Sequence, residues 1–179
     1  MTRTARRSFL ILLAFSFAYG LYIPVHPDEA YYWNWSRHLA LSYFDAPPLV
    51  AYLIKLSTLF FGQTKLALKL ISVVCVMLSG WIVHALAARL FDKKVAEKAL
   101  IIFLLLPITQ ATNILTTPDV PLLLFTFLTL WFFWQWFSTQ QHRYLYACAL
   151  TFGLGLLAKY TMILIAPALL GFMLSKSRR

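Results

Sequence analysis

Long apolar runs separated by short charged stretches define this chain, and the charges gather at the ends of the runs rather than inside them. A hydrocarbon core about 30 Å thick takes roughly 20 apolar residues in helical form. On that measure the pattern predicts membrane helices over about 8–23, 66–88, 99–115 and 120–137, the third kinked at Pro107. The first run follows Arg3, Arg6 and Arg7 and has the outline of a signal peptide. Its cleavage site is poorly marked and further spans follow, so it reads as an uncleaved span. The last apolar stretch, 144–174, is too long for one span and is broken near "GLGLLAKYT", 153–161. Two short helices in a hairpin fit it, for six membrane helices in all. The stretch 47–62, "PPLVAYLIKLSTLFFG", is apolar but short at about 1.5 Å per residue, and Lys55 sits in its middle. It reads as an interfacial helix on the outer side.

Composition agrees with a membrane protein. Apolar residues make up 61% of the chain and charged ones 12%, against roughly 25% charged in soluble domains, and mean hydropathy is +0.73. The net charge of +10 does not point to nucleic acid, because the cations punctuate span ends instead of forming one basic face. Arg3, Arg6 and Arg7, then Arg89, Lys93, Lys94 and Lys98, then Arg143, all fall on one side if 24–65 contains no crossing. That side is cytoplasmic, and "SKSRR" at the end agrees. The expectation is a multi-pass protein of the inner (plasma) membrane with both termini cytoplasmic and 24–65 as a periplasmic loop. Cys75 and Cys148 lie inside apolar runs, and no disulfide is expected.

The loop 26–48, "HPDEAYYWNWSRHLALSYFDAPP", departs from this pattern. Of six acidic residues, Asp92 and Glu97 belong to the basic cytoplasmic loop. The other four, Asp28, Glu29, Asp45 and Asp119, fall on the outer face, where ionisable groups close to hydrocarbon mark working sites. Pro27 ahead of Asp28 and Glu29, Asp45 ahead of a proline pair, and Thr117–Pro118–Asp119 each resemble a helix start, with Thr117 as a cap. Thr109, Thr112 or Asn113, and Thr116 are spaced to line one polar stripe leading there. The three helix starts could converge on one cleft, each presenting an ionised carboxylate; the plain alternative is that all are simple caps. Arg37, His38, Lys55, Lys65, Lys69 and Lys159 supply cations to the same face, Lys159 alternatively by snorkelling. Carboxylates to activate a hydroxyl beside cations to hold phosphate suggest transfer from a phosphorylated lipid. Tyr31, Tyr32, Trp33, Trp35 and Tyr43 could stack on sugar, or serve as an interfacial aromatic belt.

Three stretches in order, "DEAYYWNWSRHLALSYFDAPPLVAYLIKLSTLFFG", "TPDVPLLLF" and "GLGLLAKYTMIL", resemble the N-terminal half of GT-C lipid-linked-sugar glycosyltransferases. The nearest likeness is to bacterial relatives of protein O-mannosyltransferases and aminoarabinose transferases. The resemblance implies an all-α membrane enzyme that takes sugar from a polyprenyl phosphate at the periplasmic side. It implies Asp28 as catalytic base with Glu29 beside it, Asp45 as an acid that ligates metal in some members, Asp119 as the acid of the second outer loop, and Lys159 as the lysine of "GLGLLxK". Two positions depart from the pattern: Ala46 stands where many relatives have His, and Lys69 where Arg is common. Such enzymes also carry further spans, so 1–179 reads as one membrane domain, the N-terminal part of a longer one, with a missing C-terminal half as its partner.

Together these readings predict an inverting glycosyl transfer in which Asp28 deprotonates the acceptor hydroxyl. Arg37, Lys55, Lys69 and Lys159, with Tyr31 and Tyr32, would hold the sugar phosphate, and Asp45 and Asp119 would hold a divalent metal ion. The expected partners are the polyprenyl-phosphate donor and membrane lipid, with no nucleic acid. Two rivals stand beside this reading, a small transporter that relays ions through outer acids and a non-catalytic or truncated membrane subunit.

Overall fold

The structure, a computed structural model, describes residues 3–177. They form α1 (Arg3–Tyr22), α2 (Pro27–Arg37), α3 (Leu49–Phe61), α4 (Lys65–Leu90), α5 (Lys93–Leu105), α6 (Pro107–Ile114), α7 (Asp119–Thr139), α8 (His142–Ala158), a 3-10 turn (Tyr160–Leu164) and α9 (Ile165–Ser177). Among the described residues there are no strands, as expected of an all-α membrane protein. Arg178 and Arg179 of the basic C-terminal signal lie outside the described residues.

Helix α4 is the hub, packed against α1, α3, α5, α6 and α7. One core joins α3, α4 and α7 through Val50 and Ile54, Leu68, Ile71 and Cys75, and Val120 and Leu124. A second joins α1, α4 and α5 through Phe9 and Leu13, Val76, and Leu100, Phe103 and Leu104. Gly80 permits this second contact, since a Cβ there would come within 2.9 Å of the Phe9 ring and 3.3 Å of Leu100. The outward faces stay apolar, with Ile11 and Phe15 on α1, Trp81 on α4 and Ile102 and Leu105 on α5 all exposed. Water would not tolerate so continuous an apolar exterior, whereas hydrocarbon does.

The breaks occur where the sequence predicts them, for local reasons. Pro107 has no N–H to give and forces Leu106 into an extended conformation, and α5 and α6 meet at 61°. The Gln110 amide answers the break by donating to the Leu104 carbonyl, while Ser16 on α1 donates to the Gln110 Oε1 at 2.8 Å. Between α1 and α2 the chain turns through 85°. There the Lys65 ammonium donates to the Leu21 carbonyl at 2.6 Å and to that of Ile23, so this cation caps the open C-terminal end of α1. The final stretch breaks at Lys159, whose extended backbone separates α8 from the 3-10 turn.

The expected runs 66–88 and 120–137 appear as α4 and α7, each long and apolar enough to cross a membrane alone. Counting each bent pair as one span raises the total to four among the described residues. Six is not reached on length and composition, because α8 has 17 residues and α9 has 13, each shorter than the roughly 20 a lone span needs. The stretch 47–62 forms α3, which rests its Val50–Ala51–Ile54 face in the core and leaves Leu59 and Phe60 exposed.

Candidate functional site

Helix α2 opens the site. His26 is its N-cap, Pro27 the first residue, and Asp28 and Glu29 follow in the first turn. The Asp28 N–H donates to His26 Nδ1 at 3.3 Å, and the His26 N–H donates to Glu29 Oε2 at 3.1 Å. Successive helix positions lie about 100° apart, so the two neighbouring carboxylates part company. Asp28 faces outward, and Glu29 turns into the bundle.

There Glu29 meets Lys69, whose Nζ donates to Oε1 at 2.7 Å and to Oε2 at 2.6 Å. The third Lys69 proton goes to the Ile114 carbonyl at 2.8 Å, and the Thr116 N–H donates to Glu29 Oε1 at 2.8 Å. The side chains are 1% and 0% exposed. Every ammonium proton is used and both carboxylate oxygens are doubly engaged, which is what a buried charge pair needs to survive desolvation. Glu29 and Lys69, expected to work on substrate, are thus brought to each other and buried together.

Three carboxylates remain at the outer end. Asp28 stays exposed, its carboxylate 3.6 Å from His26 Nδ1. Asp45 accepts from the Tyr31 hydroxyl at 2.9 Å. Asp119, the first residue of α7, is paired with Lys159 at 2.7 Å, both side chains less than half exposed. The charges of all three carboxylates bear on Tyr32, whose phenol is pushed to a higher pKa first by burial and then by Asp28, Asp119 and Asp45 in turn. Tyr31 is likewise raised, chiefly by its hydrogen bond to Asp45. Two of the expected caps are not caps. Thr117 makes no side-chain bond at the start of α7, and Asp45 makes none at the start of α3. Proline fixes both starts without help, leaving the carboxylates available elsewhere.

The polar stripe of α6 runs inward. Thr109, Thr112, Asn113 and Thr116 are all buried. Thr116 Oγ1 donates to the Leu68 carbonyl at 2.9 Å and lies 2.8 Å from Ser72 Oγ. Thr109 and Thr112 also line a cleft of about 160 Å³ with Asp119 and Thr126. Among the described residues no three His, Cys, Asp or Glu side chains lie close enough to share a metal ion. A cation between Asp45 and Asp119 would have to displace Lys159 and find its other ligands elsewhere, so this donor set does not fit a metal as it stands.

The remaining cations spread out. Arg37 sits over the Trp33 ring at 5.6 Å and is exposed. Lys55 is half-buried on α3. Of the aromatics, Trp35 and Tyr43 are framework. Their rings stack at 4.1 Å, and the Tyr43 hydroxyl lies 3.0 Å from both the Trp35 and His38 carbonyls. Trp33 donates to Gln63 at 2.8 Å. Tyr31 and Tyr32 flank the acids, packed on Trp35 at 4.7 and 5.0 Å. His26, Gln63 and Thr116 play parts that their sequence neighbourhoods did not reveal, because each acts on a partner through backbone geometry or across the fold.

Residues 45–179 match the family model described as dolichyl-phosphate-mannose-protein mannosyltransferase. That match takes in Asp45, Asp119 and Lys159 and begins after Asp28 and Glu29. The chain is also 28% identical over 145 residues to the lipid A galacturonosyltransferase RgtD of Rhizobium johnstonii (strain DSM 114642 / LMG 32736 / 3841), an alignment covering 78% of this chain and 30% of that protein. The chain therefore spans about 30% of the length of the curated relative it matches. No solved structure matches it.

Proposed function

Since the chain belongs to the dolichyl-phosphate-mannose-protein mannosyltransferase family, and so to the GT-C glycosyltransferases, we propose that it carries the acidic half of a glycosyl-transfer site. That site moves a sugar from a polyprenyl-phosphate donor to an acceptor hydroxyl at the periplasmic face of the inner membrane. In this reading α1, α4, the bent α5–α6 pair and α7 cross the bilayer, α8 and α9 form a short hairpin, and both termini are cytoplasmic. Residues 24–65 then form a periplasmic loop, and the whole is the N-terminal part of a longer membrane domain. The carrying observation is a run of contacts among the acids: Asp119 is paired with Lys159 at 2.7 Å, and Asp45 accepts at 2.9 Å from Tyr31, whose ring packs on that of Tyr32 at 5.7 Å.

The chemistry assigns each group a step. Asp28, exposed and paired with no lysine or arginine among the described residues, takes the proton of the acceptor hydroxyl as its oxygen bonds to the anomeric carbon. The bond from that carbon to the phosphate oxygen breaks on the opposite side, inverting the centre, and the polyprenyl phosphate leaves with the electron pair. Lys159 is the cation placed to meet that phosphate, exchanging Asp119 for it. Arg37, exposed, and Lys55, half-buried on α3, would serve the rest of the donor, while Tyr31 and Tyr32 offer ring edges and hydroxyls to the sugar. Glu29 and Lys69 take no direct part. No step is routed through a metal ion, since among the described residues no third His, Cys, Asp or Glu side chain joins Asp45 and Asp119 to complete a site.

The test is transfer in proteoliposomes from a synthetic polyprenyl-phosphate sugar, with the chain alone and within any longer polypeptide of the same reading frame. Asp28→Asn should lower kcat by about 10²–10⁴-fold with donor binding intact. Wild-type turnover in that variant would remove Asp28 from the mechanism. Proton-coupled uptake without sugar transfer would favour a transporter instead.

A further inference from the structure

The buried pair behind the site reaches further than packing. Glu29 accepts from three elements at once: the His26 N–H at the start of α2, Lys69 on α4, and the Thr116 N–H in the link between α6 and α7. Asp28 is the residue before Glu29, and Asp119 is three residues after Thr116. Two outer acids far apart in the sequence are therefore referenced to one carboxylate.

We infer that Glu29 is a positioning residue, which with Lys69 sets the separation of Asp28 from Asp119 and so the geometry in which base and leaving-group cation face each other. The inference rests on the reading of Asp28 as the base. Three features carry it. Glu29 has no exposed surface, so an acceptor hydroxyl cannot reach it. Its contacts leave the α6–α7 link with little freedom, because Thr116 is held again through its hydroxyl by Leu68 and Ser72 on α4. And α2 follows α1 after only a short turn bent through 85°, so the bond from Lys69 to Glu29 is what ties its first turn to α4. A misplacement of about 1 Å in a reacting group costs on the order of 10²-fold in rate, which makes such a fixture matter to chemistry it never touches.

Nitroxides at Ala30 and Ala111, both exposed, report the spacing of α2 from α6 in a Cys75→Ala/Cys148→Ala background. Rate and pH profile are measured on the same variants. For Glu29→Gln the distance distribution should broaden and kcat should fall by about 10–10²-fold, while the acidic limb of the kcat profile stays where it is in the wild type. Asp28→Asn should instead lose that limb and keep the distance. The neutral pair Glu29→Gln/Lys69→Met, in which the amide oxygen can still accept from the Thr116 N–H, should narrow the distance again and recover at least about tenfold in rate. A wild-type distance distribution in Glu29→Gln overturns the inference, whatever the rate. So does a double variant as slow as Glu29→Gln, which would make Glu29 a reacting group. If neither the chain nor the longer polypeptide that contains it transfers sugar, the proposed function fails, and the distances still decide whether Glu29 fixes α2.

Discussion

Replacing Lys69 by Met tests how the two halves of the site are held. The methionine keeps most of the apolar stem and removes the ammonium, leaving Glu29 with its two backbone donors and a charge that no cation offsets. At 0% exposure that carboxylate cannot recover the loss from water. Breaking a buried pair in this way costs about 3–5 kcal/mol, about a fifth or more of the roughly 5–15 kcal/mol that holds a domain together. Removing both charges is a different matter. In Glu29→Gln/Lys69→Met no lone charge remains, and the cost reduces to one or two imperfect hydrogen bonds at about 1 kcal/mol each. The double variant should thus be more stable than Lys69→Met by about 2 kcal/mol or more, a non-additivity expected of groups in direct contact. Reversible unfolding in mixed micelles, followed by tryptophan fluorescence against denaturing-detergent fraction, measures all three proteins on one scale. A Lys69→Met protein within about 1 kcal/mol of wild type, or a double variant no better than it, would refute the argument that charge imbalance dominates this site.

Other outcomes follow from the same geometry. Lys159→Met should barely change stability, because a pair this exposed contributes about 0–1 kcal/mol; it should weaken use of the lipid-phosphate donor at least tenfold, read as kcat/KM. Titration followed at 295 nm, differenced against Tyr32→Phe, should show the Tyr32 phenol ionising above its ordinary value of 10.0, and Asp28→Asn should bring it down. With the folded-state value raised, the stabilising contribution is complete below pH 10 and fades as pH rises through the higher folded value. Cysteines at Ser42 and Gln140 should label from opposite sides of intact cells, Ser42 from the periplasm; labelling of both from one side would overturn the topology. Activity of chelator-treated protein should match that of untreated protein, and an absolute requirement for divalent ion would show that Asp45 and Asp119 exchange their present partners for a metal.

Sequence by itself determined what is local. Runs long enough to cross hydrocarbon announce themselves through composition, so α4 and α7 lie where hydropathy puts them. Pro107 kinks its helix because a missing N–H acts on the residue that lacks it, and the last stretch breaks at Lys159 within the segment that was marked. Hydropathy also placed four acids at one end of the chain's spans. It could not rank them. Asp28 and Glu29 are adjacent, both carboxylates, both in the first turn of one helix, and only packing decides that one meets solvent and the other meets Lys69. The partners that give each acid its role lie 40 residues away for Lys69 and for Lys159, and 87 for Thr116. The expected count of six spans likewise leaned on the last stretch, where α8 and α9 are shorter than a bilayer and their crossing depends on what they pack against. Hydrophobic periodicity fixes how each helix forms and which face is apolar, but the energy of a buried charge depends on a partner brought in by the tertiary fold. That is why the spans were legible in the sequence and the division of labour among the acids was not.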